Sequence, residues 1–510
     1  MTTPIRKVIV LGGGSAGLLA AITLKRHAPV LDVTVVRSKE IGVIGVGEGS
    51  TVGFPRYLHT YLAIDPVEFQ RLAQPSWKLG LRFVRWGPRE QFHYSFAAAY
   101  ALKWPQLRKP PGFYCDEHAD YANLFMALMA EDRAFLRGAD GLPRVTHDFS
   151  YHIENRHFVD FLEGHAERLG VTLVDDTVQN VAQDERGVSS LRLASGREAS
   201  ADLYVDSSGF ASVLLGKTLE EPFISFTPTL LCDSAVVGGW ERGEEVIKPY
   251  TTVEIMDAGW CWQIDHEFRI NRGYVYASSF ISDEDAEREF RGVCPKVGPS
   301  RVVRFKSGRY ERGWVKNVVA IGNARGFVEP LEATSLGAIG TESALLVETL
   351  IDADFAPGPA QIKHFNGAMA MAWDNIRRFL SIHYKLNTRL ETPFWRACRA
   401  DVDLAGAEDI VEFYQENGPS HHGRVMLLNQ LDQFTIDGWL ALLVGMKVPY
   451  TRRFEPSEAE RAEWRRITEH YRKQAQSAMD VKATLDAVRS PRWRWAPEFY
   501  NAMAPLQPGT

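Results

Sequence analysis

The chain has 510 residues, of which 45% are hydrophobic and 24% charged, and its formal net charge is −6. This length allows two or three domains, and the mildly acidic balance argues against nucleic acid or an anionic membrane as a partner. The five cysteines are scattered without a CxxC motif, so neither a disulfide framework nor a metal site is predicted. A cytoplasmic location is expected, and no apolar stretch reaches the ~18 residues that a membrane-spanning helix needs.

The chain begins with the pattern of a dinucleotide-binding unit. Val8–Leu11 is a short apolar run typical of a buried strand, and a Gly-x-Gly-x-x-Gly motif follows it before an apolar stretch with helical spacing. Such glycines allow a tight turn and a close approach of the backbone to a pyrophosphate, while the N–H groups of the helix start bind the anion. The predicted dinucleotide site consists of Gly12, Gly13, Gly14, Ser15, Ala16 and Gly17.

Further buried-strand patterns indicate that the first domain is discontinuous. Val33–Val36 predicts the second strand, but Arg37 stands where such folds usually place an acidic residue for the ribose. Other strands of the nucleotide fold are predicted near residue 205 and at Val318–Gly322. The predicted class is α/β, with a Rossmann-like domain in residues 1–350, inserted segments at about 85–150 and 215–300, and a mainly helical region at 351–510.

The segments between these strands have patterns of their own. Ile41–Ser50 is rich in glycine and predicts a loop that lies along a ligand, and Gly87–Pro111 predicts a long irregular insert. Apolar residues alternate along Leu79–Val84, so a strand is expected to begin near Lys78. The remaining predictions are paired strands of a second sheet at Trp260–Ile264 and Gly273–Phe280, and helices at Glu154–Leu169 and up to about Asp352.

A combination of motifs resembles the flavin-dependent tryptophan halogenase family. The motifs are GGGSAG, VGEGS, a lysine opening KLGLRF, GWCWQI and GFVEPLEATS, and the resemblance covers most of the first 350 residues. It implies an FAD-binding domain similar to that of flavin monooxygenases, with FADH2 and a halide (bromide or chloride) taking part in the halogenation of an electron-rich aromatic, an indole or its derivative. No nicotinamide site is evident, so a separate flavin reductase is expected to supply FADH2 to a monomer or homodimer.

Two residues match the catalytic pair of that family. Lys78 matches the lysine that holds hypohalous acid and presents an electrophilic halogen to the arene; its long stem can cross a tunnel wall, and its pKa falls in an apolar site. Glu332 matches the residue inferred to polarise the halogenating species and to take the proton of the arene. By spacing alone, Lys78 would be a surface charge and Glu332 a carboxylate near a helix N-terminus. The other motifs favour the catalytic roles.

The resemblance also implies sites for halide and flavin. Backbone N–H groups of Thr334 and Ser335, at a predicted helix start, would bind the halide, although the family often has Ser-Thr-Gly after the glutamate. The implied flavin contacts beyond the first glycine motif are Val46, Gly47, Glu48, Gly322, Asn323 and Leu336.

A tryptophan motif is the most specific part of the resemblance. It comprises Trp260, Trp262 and Ile264, and Asp265 stands where the family usually has proline. In the family these tryptophans are thought to hinder the substrate from reaching the flavin, whereas on spacing alone they would be packed on one face of a strand.

The substrate pocket is expected to accept an indole. His93 and Phe96, in the segment FHYSF, resemble the His/Phe part of the family's indole pocket, with one residue too many between them. Met426–Val448 contains Phe434 and Trp439 but no tyrosine pair for the amino-acid end of tryptophan. We therefore expect weak or absent recognition of an ammonium and a carboxylate. Phe434 and Trp439 could equally form the core face of a helix.

Two other functions fit parts of the sequence. An FAD-dependent aromatic monooxygenase shares the nucleotide motif, and it predicts a hydroxylated product and NAD(P)H oxidation by this chain alone. A non-catalytic flavin-binding redox sensor or scaffold predicts tight flavin binding and no product that depends on Lys78.

Overall fold

A mostly parallel sheet forms where the sequence has its short apolar runs. The computed structural model describes residues 4–40, 47–115, 119–423, 428–429 and 431–495, and in them this central sheet has six strands. Val8 and Val10 of the first strand are fully buried, as expected when helices cover both faces of a parallel sheet. In spatial order the strands are Trp314–Val315, Val318–Ala320, Leu203–Asp206, Lys7–Leu11, Asp32–Arg37 and Thr172–Asp175.

A second sheet, of seven strands in the described part of the chain, carries the tryptophan motif. The predicted strand Gly273–Phe280 is instead Arg269–Tyr276, because the chain turns at Ala277, whose carbonyl accepts the N–H of Phe280. The predicted irregular insert contains the strand Gln91–Ser95. In spatial order the strands are Arg301–Arg304, Ser234–Glu241, Arg269–Tyr276, Gly259–Asp265, Thr251–Met256, Gly80–Val84 and Gln91–Ser95.

A small antiparallel sheet connects the glycine-rich loop with Lys78. Its central strand, Ser150–Ile153, pairs on one side with Glu48–Gly49 and on the other with Ser76–Lys78. His152 lies opposite Gly49 and also opposite Ser76. The loop after residue 46 and the strand that ends at Lys78 are therefore held at a fixed distance from each other.

Helices cover the sheets and form most of the region after residue 352. The predicted helices near 154–169 and up to 352 are confirmed as Asn155–Arg168 and Ser335–Asp352. No helix among the described residues is long and apolar enough to cross a membrane. The other helices are Ser15–His27, Gly53–Arg56, Pro66–Leu72, Leu124–Ala130, Asp283–Val293, Pro359–Lys385, Pro393–Asp401, Glu408–Asn417, Thr435–Gly445, Glu458–Gln476 and Val481–Arg489. The remaining strands are Val178–Asp184, Gly187–Leu193, Glu198–Ala199, Phe223–Ser225, Gly308–Tyr310 and Gly326–Phe327.

Candidate active site

The glycine motif forms an open cradle at the start of the first helix. Gly12 has a φ of +121°, and a Cβ on it would lie 2.3 Å from the carbonyl oxygen of Ser207. A Cβ on Gly17 would lie 1.9 Å from the carbonyl oxygen of Gly12, whereas at Gly14 no described atom lies within 4 Å of that position. The helix begins at Ser15 without a side-chain cap or an acidic residue in its first turn. The cradle fits a pyrophosphate, which the N–H groups of the helix start would bind.

The adenosine end of the cradle differs from the usual scheme. Arg37, the last residue of the second strand, packs against the cradle, since a Cβ on Gly13 would lie 2.5 Å from the Cβ of Arg37. Its guanidinium pairs with the carboxylate of Glu163, on the helix Asn155–Arg168. A carboxylate therefore lies close to the end of the second strand, but it comes from a segment 126 residues away. Sequence reasoning missed Glu163 because no local pattern links it to Arg37.

The second glycine-rich segment is tied to the same helix. Asn155 accepts the N–H of Gly47 at 3.0 Å and donates to the carboxylate of Glu48. Burial raises the pKa of Glu48, and the hydrogen bond from Asn155 opposes that rise. Val46, also predicted to contact flavin, lies outside the described residues.

The later predicted flavin contacts lie beside the first helix. Gly322 has a φ of +64°, and a Cβ on it would lie 2.9 Å from the Cβ of Ala16. Its N–H donates at 2.8 Å to the buried carboxylate of Glu342. Asn323 follows in the same turn, and Leu336 is fully buried in the helix behind it. Residues about 300 positions apart in the sequence, such as Ala16 and Gly322, therefore lie side by side next to the pyrophosphate cradle.

Lys78 ends its strand in a completely buried position. Its Nζ has no hydrogen-bond partner among the described residues and lies 5.4 Å from the centre of the Phe96 ring. A Cβ on Gly49 would lie 3.1 Å from this nitrogen and 3.2 Å from the Cβ of Ala333. Burial lowers the pKa of Lys78 to about 8, and the nearby carboxylate of Glu332 opposes that shift. At pH 7 the amine is therefore still mostly charged, but its neutral fraction, about a tenth, is far larger than that of an ordinary lysine.

Glu332 lies in the short turn Pro330–Glu332 and is 3% exposed. Its Oε1 is 2.9 Å from Nε2 of His383, a fully buried residue on the helix Pro359–Lys385. Ala333 then adopts a left-handed conformation with a φ of +55°, which redirects the chain into the next helix. The sequence contains no local signal for His383 as a partner of Glu332, 51 residues earlier.

The predicted halide site lies at the start of that next helix. The helix begins at Ser335, and Thr334 precedes it without forming a side-chain cap. The first turn carries no acidic residue, and no acceptor among the described residues takes the N–H groups of Thr334 or Ser335. Free N–H groups at a helix start can bind a small anion.

The tryptophan motif lies on the central strand of the second sheet. Trp260, Trp262 and Ile264 are all buried, and the ring of Trp262 lies against the backbone of Gly273 on the neighbouring strand. Asp265, which replaces the usual proline, accepts a hydrogen bond from Arg242 at 2.6 Å. Its backbone carbonyl accepts the hydroxyl of Ser76 at 2.5 Å. Asp265 thus ties the motif strand to the strand that carries Lys78.

Phe96 lies next to Lys78, but His93 faces elsewhere. His93 contacts Asp120 at 2.9 Å and the ring of Tyr250. Side chains alternate along a strand, so Tyr94 points to the opposite face, where its hydroxyl would be 2.4 Å from a Cβ on Gly438. Burial, followed by the nearby charge of Glu332, raises the pKa of Tyr94 well above its ordinary value. Tyr94, rather than His93, is the ring of this segment that faces Glu332.

Phe434 and Trp439 form part of an aromatic cluster. The ring of Phe434 stacks on Phe379 with 3.7 Å between centroids, and Trp439 meets Phe379 edge-on at 5.0 Å. Phe379 in turn contacts His383. Phe379 thus lies between the two predicted substrate residues and His383, the partner of Glu332. Both Phe434 and Trp439 are packed in the core in this structure.

Comparison with known proteins shows the family of the chain. A family model described as tryptophan halogenase matches residues 7–463. The tryptophan 7-halogenase RebH of Lentzea aerocolonigenes is 32% identical over 446 residues, which cover 81% of this chain and 83% of RebH. The tryptophan 6-halogenase ThaL of Streptomyces albogriseolus is 32% identical over 82% of this chain and 83% of its own.

Solved structures give the same result. The chain superposes on MibH, a lanthipeptide tryptophan 5-halogenase, with a TM-score of 0.87 and 38% identity over 96% of this chain and 94% of MibH. The flavin-dependent halogenase BrvH from Brevundimonas sp. BAL3 gives a TM-score of 0.82 with 26% identity, covering 95% and 99% of the two chains.

This chain belongs to the tryptophan halogenase family. It is an FADH2-dependent halogenase that uses a halide as co-substrate, and neither the monooxygenase nor the sensor is favoured.

Proposed function

We propose that this enzyme halogenates an electron-rich arene of the indole class at a site formed by Lys78 and Glu332. The observation that carries the proposal is the state of Lys78: a completely buried amine without a hydrogen-bond partner among the described residues, facing an aromatic ring and a carboxylate. An isolated buried ammonium is costly, and a structural lysine would be paired. A buried amine left available suits a reactive role.

The residues of the chain divide the chemistry between them. Bound FADH2, together with O2 and halide, supplies hypohalous acid. Lys78 holds that acid by a hydrogen bond, or reacts with it to form a haloamine and water, and its buried surroundings keep the reactive halogen from escaping into the solvent. An arene carbon attacks the halogen, and the bond from halogen to oxygen or nitrogen breaks with its electron pair staying on that atom, which takes up a proton and leaves as water or as the free amine of Lys78. The proton of the arene carbon passes to Glu332.

The substrate class follows from what borders the reactive amine. Phe96 lies over Lys78 and Tyr94 faces Glu332, so the walls are suited to a flat aromatic substrate. RebH and ThaL are tryptophan halogenases by name, and MibH acts on tryptophan of a lanthipeptide. Indole, free tryptophan and a tryptophan-containing peptide are therefore the three substrates to compare, and we expect indole to be preferred over free tryptophan.

The test is a coupled assay with FAD, NADH, a flavin reductase and O2, in which each substrate is incubated with bromide, chloride or neither. Mass spectrometry should show a halide-dependent product with the isotope pattern of the halogen. Lys78→Ala should abolish that product without loss of FAD binding. Lys248→Ala is the control, since the amine of Lys248 also lies near an aromatic ring, 6.0 Å from its centre, while Lys248 is only partly buried. A product that gains oxygen without halide, or a fully active Lys78→Ala enzyme, would refute the proposal.

We further propose a cytoplasmic location and the domain limits predicted above. All five cysteines are buried free thiols, which suits a reducing compartment. Strands near residues 10, 205 and 320 share one sheet, as a discontinuous FAD domain requires. Light scattering of the purified chain would distinguish a monomer from a homodimer.

A further inference from the structure

The side chains of His383 and Glu332 form a buried hydrogen-bonded pair. Nε2 of His383 lies 2.9 Å from Oε1 of Glu332, and its Nδ1 lies 3.1 Å from the carbonyl oxygen of Phe379. The imidazole is surrounded by the rings of Phe83, Trp86 and Phe379, at 5.3 to 6.3 Å between centroids. These rings carry no charge, so Glu332 is the ionisable group that the imidazole contacts.

The hydrogen-bond partners determine how many protons the pair holds. A backbone carbonyl only accepts, so Nδ1 of His383 must carry a proton. A carboxylate also only accepts, so the contact between Nε2 and Oε1 needs one more proton, on either atom. The pair therefore exists as imidazolium with carboxylate, or as imidazole with carboxylic acid, and both forms contain the same number of protons.

We propose that His383 is a positioning residue that holds the proton of this contact and leaves Oε2 of Glu332 as the base of the reaction. The inference rests on the proposed role of Glu332. In the step, the C–H bond of the halogenated carbon breaks, its electron pair restores the aromatic ring, and the proton passes to Oε2. Before the step the imidazolium balances the charge of the carboxylate, and the proton of the contact stays on Nε2 while Oε2 takes the new proton and Glu332 becomes a neutral acid. The other ionisable groups that face Glu332 are Lys78 and Tyr94.

The adjacent residue offers a matched control. Tyr384 follows His383 on the same helix and donates a hydrogen bond to Glu329, three residues before Glu332. Glu329 is buried, and burial raises its pKa to about 7. The consecutive helix residues His383 and Tyr384 thus contact two buried carboxyl groups, those of Glu332 and Glu329. Only Glu332 belongs to the proposed site.

The experiment compares His383→Phe, His383→Gln and Tyr384→Phe. For each variant, halogenated product from indole is measured between about pH 5.5 and 8.5, together with FAD affinity and the melting temperature. His383→Phe keeps an aromatic ring but removes the donor, and an unpaired buried carboxyl favours its protonated form. We expect turnover at pH 7 to fall by about 10- to 100-fold and the acid limb of the pH profile to move to higher pH. His383→Gln, whose amide can donate, should recover part of the rate.

Tyr384→Phe should lower the melting temperature and leave the pH profile unchanged. A wild-type pH profile in His383→Phe, or an equal displacement in Tyr384→Phe, would overturn the inference. If His383→Phe does not fold, His383→Gln tests the inference. A wild-type rate and pH profile in His383→Gln would show that the reaction does not require the imidazole. Halogenation by the wild-type enzyme in the same assay separates this result from a failure of the proposed function.

Discussion

Replacing Lys78 by methionine should stabilise the protein and abolish halogenation. The side chain is completely buried, and burial lowers its pKa from 10.5 to about 8. Since one pKa unit corresponds to about 1.4 kcal/mol, the folded state at pH 7 carries a cost of about 3 kcal/mol for this ammonium. Methionine has a similar length and no charge, so Lys78→Met should recover most of that free energy.

The cost depends on pH in a defined direction. Between pH 8 and 10.5 the unfolded chain keeps the Lys78 proton while the folded chain has lost it, so the stability of the wild type rises with pH in this window. At pH 10 the advantage of Lys78→Met should shrink to about 1 kcal/mol. With an unfolding entropy of about 2.1 cal/mol/K per residue, an advantage of 3 kcal/mol raises the melting temperature of a chain this long by roughly 3 °C.

The assay is thermal unfolding of the apoprotein at pH 7 and pH 10, followed by the coupled halogenation assay. The expected result is a higher melting temperature at pH 7, a smaller difference at pH 10, and no halogenated indole. A lower melting temperature at pH 7, or a difference that does not change with pH, would show that Lys78 is not a desolvated cation. Retained halogenation would show that its amine is not required.

Three further predictions concern the flavin cradle, the motif strand and the substrate. Gly17→Ala should weaken FAD binding, measured by flavin fluorescence, at least 10-fold, because the new Cβ would lie 1.9 Å from the carbonyl oxygen of Gly12. Gly367→Ala, with open space around its Cβ, is the control. Equal FAD affinities of Gly17→Ala and the wild type would contradict the assignment of the glycine motif to the flavin site. Asp265→Ala should cost about 3–5 kcal/mol in urea unfolding, because Arg242, whose side chain is 5% exposed, loses the carboxylate that balances its charge. Asp265→Asn should cost less, and a loss below 1 kcal/mol for Asp265→Ala would refute this prediction. Indole should be converted faster than free tryptophan, and the reverse order in parallel assays would disprove weak recognition of the amino-acid end.

Local pattern alone was enough to predict the framework of this protein. A short apolar run before a glycine motif specifies a buried strand and a tight turn within a few residues, and Gly12 and Gly17 have no room for a Cβ in the structure. Lys78 and Glu332 were predicted as the catalytic pair from motifs in the adjoining sequence. Both predictions rest on the resemblance of these motifs to a family, because spacing alone indicated a surface lysine and a carboxylate near a helix start.

The pairings around the site were decided only by the tertiary structure. Glu163 reaches Arg37 across 126 residues and His383 reaches Glu332 across 51, and such distances leave no local signal. The sequence pointed to His93, but side chains alternate along a strand and the packing of the sheet selects which face meets the site. That selection brought Tyr94 towards Glu332, because the helix Thr435–Gly445 places Gly438 where the phenol ring fits.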